Sequence, residues 1–176
     1  MPTDPAQTTT EVADLSGTWN VDPANTTIEF HSKAMWLLPV KGRFRVLGGT
    51  GVVGSDGSVT GSLTFDAASV DTGNRRRDDH LRSADFFEAE THPSFTFDVS
   101  QATLTGSGQA VIDGSLNIKG VARPLEVPVP FNRSGDSVDV DAEVSDLDRR
   151  DWGLTWAKMG TGVHNRLVIH AHFVRA

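Results

Sequence analysis

Eight separate stretches of this chain alternate apolar and polar residues with a period of two. "TTIEFHSK" sets Ile28 and Phe30 against Thr27, Glu29 and His31, and "VKGRFRV" sets Val40, Gly42, Phe44 and Val46 against Lys41, Arg43 and Arg45. "SVTGSLTFDA" repeats this with Val59, Leu63, Phe65 and Ala67. The pattern returns at Phe95, Phe97 and Val99, at Ile112, Leu116 and Ile118, and at Leu125, Val127, Val129 and Phe131. It closes with Val138, Val140, Ala142 and Val144, then Leu167, Ile169, Ala171 and Phe173. A pleated backbone sends successive side chains to opposite faces, so each run reads as a half-buried antiparallel strand. The turn segments "GSDG", "TGSG" and "NRSGD" separate runs as hairpin loops do. The expected class is therefore all-β. About eight strands joined by sequential hairpins predict an eight-stranded antiparallel up-and-down barrel with room for one small ligand. A β-sandwich is the rival architecture.

At 176 residues the chain suits one domain. We read residues 1–15 as a flexible polar segment and residues 16–176 as a single domain. No apolar run approaches the roughly 20 residues of a transmembrane helix. A net charge of −7 argues against a general polyanion binder, and the lack of Cys removes disulfides and thiolate chemistry. "MPTDPAQTTTEVADL" has neither a basic start nor an apolar stretch, which predicts a cytoplasmic setting.

Two segments break the alternation. In "VDTGNRRRDDHLRSADFFEAETHPSFTF" a helical insertion is expected over about residues 73–92, capped by Asn74. Arg75 with Asp79 and Asp78 with Arg82 stand at i,i+4, where opposite charges pair. Asp85 and Glu88 resemble a capping box for a second turn over Phe86 and Phe87, and Pro93 biases His92 to extended backbone. An insertion of this length suits a plug or lid at one barrel end. Residues 75–90 hold four Arg against five acids, Asp78, Asp79, Asp85, Glu88 and Glu90, so the arginines are answered locally and nucleic acid is not an expected partner. His80 with Asp78 or Asp79 supplies acid–base groups, although consecutive helical residues point in different directions. A structural clasp tying the insertion to the barrel rim is the expected role. The second break, residues 146–165, carries Trp152 and Trp156. His170 and His172 share a strand face, but it is the outer one, as for His31, and no metal site is expected.

The inward list is Ile28, Phe30, Phe44, Leu63, Phe65, Phe95, Phe97, Leu116, Ile118, Val127, Val129, Ile169 and Ala171. With no Tyr in the chain, such an interior offers dispersion and few hydrogen bonds. It is either a solid core or an apolar tunnel, and alternation does not separate the two.

"WNVDPANTTIEF", "VKGRF", "AASVDTGNRRRDDHLRSADFFEAETHPSFTF", "GSLNIKGVARPLEV" and "DRRDWGL" together resemble the YceI-like family of polyisoprenoid-binding proteins, in order from Trp19 to Val174. The resemblance implies a lipocalin-like antiparallel barrel with a helical insertion, holding an isoprenoid in an apolar tunnel. It implies non-enzymatic binding or transport of a polyprenyl quinone or polyprenyl phosphate, with no other cofactor, and a tendency to form homodimers. On that reading Phe30, Phe44, Phe65, Phe97, Leu116, Ile118, Val129 and Ile169 form the wall. Trp36, Phe86, Phe87, Trp152 and Trp156 sit at the mouth or closed end. The alternative from another class is an enzyme acting on the same ligand through His80 and Asp78 or Asp79. Family members commonly carry His at two positions that are Asn25 and Ala34 here, so no role of those histidines transfers.

Overall fold

The computed structural model describes residues 14–158 and 160–176. Ten strands form one antiparallel sheet: β1 (Gly17–Val21), β2 (Thr27–Ala34), β3 (Leu38–Phe44), β4 (Val46–Val53), β5 (Val59–Asp66), β6 (Ser94–Gly106), β7 (Gln109–Ile118), β8 (Val121–Ser134), β9 (Ser137–Asp148) and β10 (His164–Arg175). Their order is β1-β4-β5-β6-β7-β8-β9-β10-β2-β3, and β10 also pairs with β1. β10 meets β2 along residues 166–170 and β1 along residues 173–175. β1 and β2 therefore run in succession along the same partner, interrupted by the 3-10 turn Pro23–Asn25. β3 and β4 likewise succeed one another across Arg45, pairing with β2 and β1 respectively. These two bent strands and β5 to β10 make eight staves, each beside its neighbour in sequence, with the last closed on the first. The fold is a closed eight-stranded antiparallel barrel.

The eight alternating runs all lie in strands. β1 and β4 are additions that the alternation did not single out. In β4 the sequence "VLGGTGVV" replaces three side chains with hydrogen, and its ladder slips between Val46 and Gly48, so the period is broken as well as erased.

β5 pairs with β4 but not with β3, which leaves a gap at one end of the barrel. The insertion fills it. Arg43 and Asp71 exchange two backbone hydrogen bonds of 2.9 and 3.0 Å, and helix α1 (Arg75–Arg82) follows. Asn74 caps α1 as expected, its side chain accepting from the Arg77 amide at 3.0 Å. The second helical turn does not form. Asp85 gives its carboxylate to His80 instead of a backbone amide, and residues 83–92 fold back as turns, with Phe87 N–H donating to Leu81 and Ala89 N–H to Arg82.

The clasp is present with different partners. Asp78 is buried and accepts from the Thr72 amide at 3.0 Å and hydroxyl at 2.6 Å. Arg82 pairs with Asp79 at i,i+3 and donates to the carbonyls of Ala68 and Val70. The short helix ends at Arg82, and that residue's guanidinium turns to the carbonyls of Ala68 and Val70 as well as to Asp79.

Of the segment expected to be flexible, residues 1–13 lie outside those described. Asp14 and Leu15 are tied to the barrel: Leu15 C=O accepts from the Trp19 indole at 2.8 Å, and Arg175 donates to Asp14 C=O while its guanidinium stacks 4.3 Å over the Trp19 ring.

The interior divides into two apolar groups. One centres on Ile28, Phe44, Phe65, Phe95, Leu116 and Trp152 beneath the insertion. The other, around Ala110, Val127, Val129 and Ala142, fills the opposite part of the barrel. Phe97, Leu125 and Ile169 touch both groups and form the layer between them.

Candidate functional site

Inward alternation on β2, β3, β5 and β6 brings Phe30, Phe44, Phe65 and Phe95 together at one level. Phe44 stands 5.5 Å from Phe30 and 6.0 Å from Phe65, both tilted, and 5.3 Å from Phe95 edge to face. Phe87 caps this group, 5.0 Å from Phe95 and 5.6 Å from Phe44. From Phe87 the aromatic contacts run to Phe86, then to Trp156 at 5.3 Å and His80 at 5.3 Å. Trp152 is fixed by its indole N–H, which donates to Leu116 C=O at 2.8 Å.

These residues enclose a cavity of about 600 Å³, inside the roughly 300–1,000 Å³ usual for small-molecule pockets. Of the residues expected at the wall or mouth, Phe30, Phe44, Phe65, Phe86, Phe87, Leu116, Ile118, Trp152 and Trp156 line it. Phe97, Val129 and Ile169 do not. They face inward as alternation requires and pack with the apolar group around Ala110, Val127 and Ala142. This cavity lies at the end of the barrel that the insertion covers. Trp36 also lies outside the cavity, exposed at the tip of the β2–β3 hairpin, and its neighbour Met35 lines the mouth in its place.

The polar groups of the cavity are basic or neutral. Lys33, Asn74, Arg76, Arg77, His80, Arg149, Thr161 and Asn165 contribute to the lining, and among the described residues no carboxylate does. His80 bonds Asp85 at 3.0 Å, while Asp78 and Asp79 are occupied by Thr72 and Arg82. Among the described residues, the alternative acid–base set of His80 with Asp78 or Asp79 is not hydrogen-bonded together. His170 and His172 lie on the outer face against Asp141 and Asp139, at 2.8 and 2.7 Å, and His31 lies beside Glu29.

Arg149 was not anticipated. It is 8% exposed, donates to the carbonyls of Gly162 at 3.0 Å and Leu154 at 2.5 Å, and lies 5.3 Å over the Phe86 ring. Its Nη2 has no partner among the described residues. The adjacent carboxylate is already taken: Asp148 binds Arg150 through contacts of 2.6 and 2.8 Å. Burial holds the Arg149 guanidinium below its ordinary pKa, as expected for a cation without a contacting anion. The signal in sequence was the arginine pair in "DRRD", which does not show which of the two its flanking acids leave uncompensated.

A model of the YceI-like domain family matches residues 19–174. The chain belongs to the YceI-like family. Among relatives, it is 40% identical over 74 residues to a UPF0312 protein of Ectopseudomonas mendocina, a match covering 42% of this chain and 39% of that protein. It is 28% identical over 159 residues to a UPF0312 protein of Vibrio cholerae, covering 86% of this chain and 83% of the relative. The match to the Azotobacter vinelandii relative, at 33% identity, takes in 51% of this chain and 54% of that protein. The YceI-like barrel also superposes on solved structures. BcnA of Burkholderia cenocepacia gives a TM-score of 0.74 at 23% identity, covering 86% of this chain and 98% of BcnA. A polyisoprenoid binding domain from Saccharophagus degradans gives 0.71 at 16% identity, covering 90% and 98%. At these identities the likeness is one of fold.

Proposed function

We propose that this chain binds an isoprenoid non-covalently, with the hydrocarbon in the aromatic pocket and an anionic head, of the polyprenyl phosphate type, at Arg149 and the mouth arginines. One observation carries the reading: an apolar cavity of about 600 Å³ whose charged lining is cationic, with Arg149 Nη2 left without a partner. Each buried methylene contributes about 0.8 kcal/mol, so the pocket holds a chain without polar contacts. A buried guanidinium lacking an anion is costly, and a phosphate beside it relieves that cost through charge-assisted hydrogen bonds. The solved polyisoprenoid binding domain of the same fold supports the hydrocarbon part of the proposal. A quinone head would accept a hydrogen bond from Arg149 but would leave its charge uncompensated.

The test is calorimetric titration with farnesyl phosphate and farnesol, paired with mass spectrometry of the ligand afterwards. Farnesyl phosphate is expected to bind more tightly, and Arg76→Gln and Arg149→Met to narrow the difference, with the ligand recovered unchanged. Equal affinity for the two would remove the anionic head from the account, absence of binding by either would remove the isoprenoid, and a converted ligand would replace carriage with catalysis at His80 and Asp85.

A further inference from the structure

The β2–β3 hairpin ends in four consecutive exposed apolar side chains: Met35, Trp36, Leu37 and Leu38, with Trp36 73% and Leu37 82% exposed. Other large exposed apolar residues among those described, Leu47, Val52 and Val174, are scattered along β4 and β10. The tip is not a loose loop. Ala34 pairs with Leu38, leaving three residues to turn the chain. Met35 and Trp36 sit at φ of +46° and +66°, the left-handed region that residues with a side chain seldom adopt. The Trp36 amide donates to Gly160 C=O at 3.0 Å, and its ring lies so close over Gly160 that a Cβ there would meet it. A costly backbone conformation, braced from a second loop, holds large apolar groups out into solvent at the rim of the cavity.

The loop segments nearest the tip carry cations and no acid, while Asp79 of α1 and Asp85 after it face Arg82 and His80. Residues 31–41 and 153–163 carry Lys33, Lys41 and Lys158, the start of α1 adds Arg75, Arg76 and Arg77, and none of these segments contains an acid. Lys41 is answered by Glu29 further down β2, at 3.3 Å, and Arg77 is held by Thr72. This cationic rim belongs to a chain whose net charge is −7.

We propose that this end of the barrel docks on an anionic lipid bilayer, with Trp36 and Leu37 entering the interface and the surrounding lysines and arginines facing lipid phosphates. An indole and leucines flanked by cations suit the water–hydrocarbon boundary. Each basic residue near an anionic surface adds roughly 1 kcal/mol. A second copy of this chain fits less well, because a two-fold contact through the tip would set cation against cation. Four side chains also fall short of the roughly 1,000 Å² that a stable protein interface requires. Docking sets the cavity mouth, lined by Lys33, Ala34 and Met35, at the headgroups, so an isoprenoid passes between bilayer and pocket without crossing water. The route rests on the proposed function, whereas the docking surface rests on the tip and its charges.

Sedimentation with phosphatidylcholine vesicles, plain or doped with phosphatidylglycerol, tests it. The protein is expected to bind the anionic vesicles, more weakly as salt rises. Trp36→Ser with Leu37→Ser is expected to reduce binding by about tenfold per residue. Leu37→Asp, at a side chain with no packing to lose, is expected to do the same. Both variants should stay folded by circular dichroism and keep uptake of farnesyl phosphate from water, which separates failure of docking from failure of the pocket. Wild type that ignores anionic vesicles, or variants that bind them as well as wild type, would overturn the proposal. So would sedimentation equilibrium showing a dimer that Leu37→Asp dissociates.

Discussion

Arg149 and Arg150 adjoin in sequence and occupy opposite surroundings. Arg150 is exposed and grips Asp148, holding that carboxyl well below the usual carboxylate range. Asp148 also caps the turn Arg149–Trp152 that carries Trp152 into the cavity wall. Because its folded pKa is depressed, the contribution is present above the unfolded pKa and is lost as pH falls through the folded one. Asp148→Asn should therefore lower Tm at neutral pH, with the gap to wild type closing in strong acid; a gap independent of pH would show that charge is not what matters. The two aspartates of α1 make a second comparison. Asp78 is buried with two bonds from Thr72, so Asp78→Ala should cost about 1–3 kcal/mol. Asp79 is exposed against Arg82, and Asp79→Ala should cost under about 1 kcal/mol. Urea denaturation of both variants checks the order, and farnesyl phosphate affinity should survive in each.

At the scale of elements, β2 and β3 meet with Phe30 directly across from Gly42. The Phe30 ring lies over that glycine, where any Cβ would come within 2.2 Å of it. Gly42→Ala must push the ring toward the cavity, and overpacking of this kind costs about 1–3 kcal/mol. Weaker ligand binding with a folded barrel, read by titration and circular dichroism, is the expected outcome; unchanged affinity would mean that Phe30 yields elsewhere. The same hairpin shows what the sequence makes legible. Ile28, Phe30 and Phe44 declare their face by alternation, because the pleat alone sets it. Height along the barrel is another matter, since it depends on register, and slips at Val46/Gly48, Val99/Gln101 and Asn165/Leu167 shift strands against one another. Phe97, Val129 and Ile169 were read on the correct face, but alternation could not tell that they lie outside the cavity described. In the insertion, the Asn74 cap is local and legible, whereas the buried contacts of Asp78 with Thr72 arise where the chain turns back before α1. Arg149 stayed hidden because its isolation depends on which arginine Asp148 takes.

The whole molecule is a closed barrel with a cavity under its insertion. Its staves close because the last strand pairs with the first, and the insertion covers the gap beside β3. Ala34 lines the mouth, and the basic groups beside it come from Lys33, the insertion and the turn after β9. The layer of Phe97, Leu125 and Ile169, which touches both apolar groups, stands where a floor of the cavity would be. A floor predicts a limit on ligand length, which a through tunnel would not impose. The most direct measurement is the affinity of prenyl phosphates of increasing length, followed by quenching of tryptophan fluorescence. Affinity should rise by up to about 0.8 kcal/mol for each added methylene-sized group while the pocket fills, then level off once further units remain outside. A rise that continued through the longest chains would contradict the floor, and a series with no binding at any length would contradict the pocket as an isoprenoid site.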